Sequence, residues 1–120
     1  MCIRDRIDIE LWDSSRNYGF LKRALSPSEL EWAGEDFKER LQIFSAKEAL
    51  YKLVYSTWGL KPQFSSVTFE RTRPGTLSGC WSNESKEDQK LKELLPQPVC
   101  NNFTFKEADT ANFIVSVCYL

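Results

Sequence analysis

No histidine occurs anywhere in the chain. Triads of the Ser-His or Cys-His kind and histidine-ligated zinc are therefore excluded within it, and any chemistry must rest on carboxylates, lysines and hard metals. Charge of one sign is also missing: 16 basic side chains face 17 acidic ones, for a net charge of −1. No overall field draws the chain to nucleic acid or a membrane surface, so an anionic ligand must be handled locally. The four cysteines, Cys2, Cys80, Cys100 and Cys118, have neither the CxxC spacing of a metal or redox motif nor the density of a disulfide scaffold. They read as reduced thiols, mostly on strands, in a cytoplasmic protein. There is no signal peptide and no apolar run of ~18 residues, which predicts a soluble protein without a membrane span.

What is present suits one small α+β domain. At 120 residues, 42% of them apolar and including eight Phe, four Tyr and four Trp, the chain can bury a compact core. Met1 to Arg6 lack periodicity and read as a ragged, non-native start, leaving residues 7–120 as the domain. Ile7-Asp8-Ile9-Glu10-Leu11 alternates strictly, the period of a half-buried strand, with its aliphatics expected toward the core and its two acids on the other face. Residues 12–25 read as a loop with a helical turn near Phe20 to Ala24. Ser26-Pro27-Ser28-Glu29 supplies an N-cap, a proline at the first helical position and an early acid, predicting a short helix to Ala33.

Gly34 ends that helix, and a long one is expected from Glu35 to Thr57, stopped by Gly59 and Pro62. At ~100° per residue its Phe37, Leu41, Phe44, Glu48, Tyr51 and Tyr55 fall within roughly 80° of one another. A carboxylate in the middle of an aromatic stripe needs a cation, a metal or a wet cleft, because burying it unpaired costs several kcal/mol. Lys52, one turn on, is the nearest cation in the same helix, and a plain helical Glu-Lys pair is the simpler explanation. Phe64 to Glu70 and Thr76 to Ser82 read as strands around Arg73-Pro74-Gly75. A short helix to Leu94 and a closing antiparallel pair, Val99 to Phe105 and Asn112 to Tyr119, complete an antiparallel sheet packed on one long central helix.

Asp8 and Glu10 project from one side of their strand, and Glu48 lies on the helix that must pack on that sheet. Three converging carboxylates would suit Mg²⁺, with Lys47 and Lys52 beside them for phosphate charge. Metal-assisted transfer from a phosphorylated donor follows as one reading. The other is a non-catalytic binding or interaction module whose acids and lysines form a solvated face.

Ile7-Asp8-Ile9-Glu10, followed by Phe44-Ser45-Ala46-Lys47-Glu48-Ala49-Leu50-Tyr51-Lys52, resembles the paired signatures of the 4′-phosphopantetheinyl transferases, I-D-x-E and (F/W)-S-x-K-E-x-x-x-K. Ser26 to Trp32 is similar to the S-x-x-E helix these proteins place between them. Gly59, Phe64 and Val67 match the G-x-x-x-x-F-x-x-V of the enterobactin-synthetase component D group. The resemblance implies transfer of the phosphopantetheine arm of coenzyme A to a serine of an acyl or peptidyl carrier protein, with 3′,5′-ADP leaving. It implies that Asp8, Glu10 and Glu48 hold Mg²⁺, and that Glu48 or Glu10 is the base for the carrier serine. Lys52 then balances or protonates the leaving group, and Lys47 contacts coenzyme A phosphates. The family usually has glycine before I-D-x-E, where this chain has Arg6. Surfactin-type members are longer, with two similar halves that hold coenzyme A between them, and this chain matches the second half. Holo-acyl-carrier-protein synthases are about this short and trimerise, but their acids are more widely spaced and their first motif usually reads G-x-D-(I/V). The expectation is a truncated surfactin-type chain, weakly active or inactive alone, whose missing N-terminal half is replaced, if at all, by self-association.

Overall fold

The structure, a computed structural model, describes residues 5–12, 18–82, 85–107 and 111–120. Five strands form one antiparallel sheet in the order β1-β5-β4-β3-β2. They are β1 (Asp5–Trp12), β2 (Val67–Arg73), β3 (Thr76–Trp81), β4 (Val99–Glu107) and β5 (Ala111–Tyr119). The helices are α1 (Leu21–Ala24), α2 (Pro27–Ala33), α3 (Phe37–Trp58) and α4 (Lys86–Leu94), with a 3₁₀ turn at Phe64–Ser66 before β2. The α+β reading holds, with one long helix across one face of the sheet. β1 begins two residues before the expected onset, with Asp5 opposite Tyr119 and Arg6 opposite Cys118. The rest of the expected non-native start, residues 1–4, lies outside the described residues, as do residues 13–17 of the expected loop.

Local signals set the helix ends. Ser26 and Glu29 form a reciprocal capping box at the start of α2, with proline at its first position. Asp36 accepts the Lys38 and Glu39 amides at the start of α3, and Gly59, at φ 69°, ends it in the left-handed conformation that glycine adopts without strain. α3 buries Ile43, Ala46, Ala49, Leu50 and Val54 against Val67, Phe69, Leu77, Cys100 and Cys118. A second cluster joins Tyr18, Leu21, Leu41 and Ile114 beneath Phe20 and Phe44. β2 is an edge strand, and α2 closes it: Trp32 donates to the Phe69 carbonyl and the Phe69 amide donates to Glu29. The N–H and C=O of Phe69, which would otherwise be open to another strand, are thereby satisfied.

β1 alternates as expected, but with the opposite face inward. Asp8 is buried at 5% exposure beneath α3, whereas Ile7 and Ile9 stand 55% and 62% exposed on the far side of the sheet. Alternation defines two faces and is silent on which one the helix covers. The acid is tolerated inside because both of its oxygens have donors there. On the open face Ile9 sits opposite Val115, which faces Phe103 across β4, and Ile7 sits opposite Val117.

The expected stripe of α3 is only partly in the core, with Leu41 buried in the second cluster. Phe37 and Tyr55 are exposed and Phe44, Glu48 and Tyr51 half-buried, so the rest of the stripe runs along the rim of the helix. Of the four cysteines, Cys80, Cys100 and Cys118 lie on strands as free thiols. Burial pushes the Cys100 thiol up, helped by its hydrogen bond with Cys118 directly opposite.

Candidate active site

The site forms where β1 crosses beneath α3. Ser45 and Lys52 are seven residues apart, so they lie nearly in line two turns apart on the helix. Asp8 spans the gap between them. Its Oδ2 accepts from the Ser45 hydroxyl at 2.9 Å, and its Oδ1 takes the Lys52 ammonium at 2.7 Å. The Lys52 side chain remains 49% exposed, so its cationic end reaches the buried acid while keeping contact with water.

Glu48 is one turn before Lys52, beside this pair. Burial raises its carboxyl above the usual range, and the nearby Asp8 charge adds to that, with Lys52 pulling the other way. Lys52 is pushed up, chiefly by its hydrogen bond to Asp8, with the charges of Asp8, Glu48 and Glu10 acting in the same direction and burial opposing. Asp8, Glu10, Glu48 and Lys52 therefore share one field. Direct convergence of the three acids goes further than this geometry: among the described residues no three acids come close enough together to hold a metal ion. The cation that Asp8 engages is the ammonium of Lys52, and the simple in-helix Glu48–Lys52 pair gives way to this cross-element one.

Glu48 opens into a hollow of about 300 Å³ lined by Tyr51, Pro62, Gln63 and Phe64. A larger hollow of about 560 Å³, lined by Arg23, Ser26, Thr68, Trp81 and others, shares Gln63 and Phe64 with the first. The segment through Gln63 and Phe64 is thus a wall between the two.

Lys47 is not on this cleft. Its side chain is 1% exposed, with Nζ 2.7 Å from Glu29 Oε1 and 2.7 Å from the Phe64 carbonyl. Burial lowers its pKa and Glu29 partly restores it. The expected contact with coenzyme A phosphates is therefore corrected to an interior role, because the ammonium is enclosed and already paired. Sequence reasoning missed two residues, Ser45 as donor to Asp8 and Glu29 as partner of Lys47. The seven-residue spacing of Ser45 and Lys52 signalled the first, and the capping-box position of Glu29 signalled only half of the second.

The sequence model of the 4′-phosphopantetheinyl transferase superfamily matches residues 7–117, which include every residue of this site. The chain belongs to that superfamily. No curated protein matches it. Among solved structures, this 4′-phosphopantetheinyl transferase fold superposes on the holo-(acyl-carrier-protein) synthase of Helicobacter pylori in complex with coenzyme A, with a TM-score of 0.56 at 17% identity, covering 94% of this chain and 97% of that one. The Neisseria meningitidis holo-(acyl-carrier-protein) synthase gives 0.53 at 20% identity, with 93% and 96% covered. The Chronobacterium ammoniagenes ACPS–CoA complex gives 0.51 at 17% identity, with 97% and 98% covered. At these identities the likeness is one of fold. The fold is shared with short synthases along nearly their whole length.

Proposed function

We propose that this chain transfers 4′-phosphopantetheine from coenzyme A to a serine of an acyl or peptidyl carrier protein. The observation that carries the reading is the Asp8 carboxylate held between Ser45 and Lys52, with Glu48 beside it at the mouth of an open hollow. The serine oxygen forms a bond to the phosphorus bearing the pantetheine arm, the bond from that phosphorus to the bridging oxygen breaks, and 3′,5′-ADP leaves. Glu48 takes the serine proton, with Glu10 as the alternative base acting through a water. A raised carboxyl suits that task better than an unperturbed one. Lys52, kept protonated by Asp8, meets the charge that develops on the leaving diphosphate.

Asp8, Glu10 and Glu48 share one field but stand too far apart here to close on an ion, and they would have to draw together to hold Mg²⁺. Carboxylate oxygens are the hard donors it prefers, and the ammonium already lodged on Asp8 marks a position that favours a cation. Magnesium bound there would supply charge neutralisation between the phosphates. Lys52 is half exposed and has room to turn from Asp8 toward phosphate oxygens.

The open apolar face of β1, β5 and β4 supports a further element of the reading, a partner surface over Ile7, Ile9 and Phe103. A preceding half, as in surfactin-type members, is one source. The end-to-end match to short synthases favours a second copy of this chain as the other. Incubation of the purified chain with apo carrier protein, coenzyme A and Mg²⁺ tests the activity. The expected result is a carrier heavier by one phosphopantetheine arm, and absence of that gain on fatty-acid, polyketide and peptide carriers alike would reject it.

A further inference from the structure

The Glu29–Lys47 pair has no place in that chemistry, yet it is the most enclosed ionic contact described, with side chains 0% and 1% exposed. A buried ion pair is poor evidence for stability, because desolvation offsets most of its attraction. Its connections are more informative. Glu29 Oε1 accepts from the Ser26 amide at 2.8 Å and from Lys47, while Oε2 accepts from the Phe69 amide at 2.8 Å. Lys47 passes a second bond to the Phe64 carbonyl. Four pieces of backbone, from α2, α3, β2 and the wall segment, therefore meet at two side chains.

Resting on the transferase reading above, we propose that Glu29 and Lys47 are positioning residues that fix the wall of the Glu48 hollow. Lys47 immediately precedes Glu48 on α3, and the carbonyl it holds belongs to Phe64, which lines the hollow with Glu48. Among the other ties on that segment, the Ser82 amide donates to the Ser66 carbonyl at 2.8 Å from just past β3. Ser66 and Gln63 bond to each other, and the Phe64 ring packs against Phe44 at 5.4 Å. The Lys47 bond is thus a polar strut from the helix carrying Glu48 to the wall facing it, and Glu29 holds the strut upright. Without Glu29 the ammonium is left buried beside one carbonyl, and the wall is free to shift.

The double variant Glu29→Gln/Lys47→Met removes both charges together, so neither is left unpaired, and it keeps an acceptor oxygen for the Phe69 or Ser26 amide. Two measurements on the full chain decide the matter. In amide exchange, protection at Gln63 and Ser66 should fall at least ~tenfold while that at Cys100 and Cys118 holds. In carrier modification, KM for coenzyme A should rise about tenfold with a smaller change in kcat, since a loss of folded protein alone would lower kcat and leave KM unmoved. If the double variant does not fold, Glu29→Gln alone is read in the same way. Unchanged protection together with unchanged KM overturns the proposal. If the parent chain modifies no carrier, the transferase reading fails, and the exchange measurement still decides whether the strut holds the wall.

Discussion

Lys52 reaches from α3 to Asp8 on β1, with Nζ 2.7 Å from Oδ1, and so closes the helix onto the edge of the sheet with one cation-carboxylate bond. The same contact keeps Lys52 charged and sets the field felt by Glu48. Lys52→Ala should lower the transfer rate by at least ~100-fold, as expected where charge on a leaving group goes unmatched. It should also cost about 2 kcal/mol of stability, a smaller effect than the loss of rate, because the buried Asp8 carboxylate is left with the Ser45 hydroxyl as its donor. Steady-state kinetics beside urea denaturation would separate the two effects, and an equal loss in both would point to a merely structural lysine.

Glu48→Gln should stabilise the metal-free protein. Burial and the Asp8 charge both disfavour the Glu48 carboxylate, and the amide removes that penalty while keeping the shape. The expected sign is a rise in melting temperature of a few °C in chelator. Stabilisation by added Mg²⁺ should be present in the parent and reduced in the variant, and scattered surface acids would give neither response.

Ile9→Asp probes the open sheet face. The side chain is 62% exposed, so the substitution should change the stability of the single chain by no more than about 0.5 kcal/mol. Self-association, read by sedimentation, should be lost, because a charge would enter an apolar contact. A parent chain that is monomeric at high concentration would remove the second-copy reading.

Thiol labelling gives a check with a defined sign. Burial raises the Cys100 pKa, so at mildly alkaline pH its reactive thiolate is scarce, whereas Cys80 is exposed. Maleimide followed by peptide mapping should modify Cys80 in the native protein, and Cys100 and Cys118 only on unfolding. Rapid native labelling of Cys100 would contradict the packing of β4 and β5 beneath α3.

Much of this architecture is legible in the sequence because its signals are local. The Ser26 cap, Pro27, Gly34 and Gly59 mark helix limits within one or two residues, and the hairpin turn at Pro74-Gly75 joins β2 and β3 as read. What was not legible depends on which surface covers which. Strand β1 alternates either way up, and only the donors on α3, Ser45 and Lys52, decide that Asp8 goes inside and Ile7 and Ile9 outside. Lys47 and Lys52 read alike as motif cations. Their separation into an enclosed strut and a half-exposed site residue follows from the position of Glu29, contributed by another helix. Long-range pairing of this kind leaves no period in the chain.

Transfer of phosphopantetheine to a carrier serine is the role proposed for the Asp8-centred cluster. The most direct measurement is intact mass of an apo carrier protein after incubation with coenzyme A, Mg²⁺ and either the parent chain, Asp8→Asn or Glu48→Gln, each first shown to be folded. The account predicts a gain of one phosphopantetheine arm on the serine with the parent and rates at least ~100-fold lower with either variant. Undiminished transfer by Asp8→Asn and Glu48→Gln, or no gain with the parent on any carrier class, would contradict it.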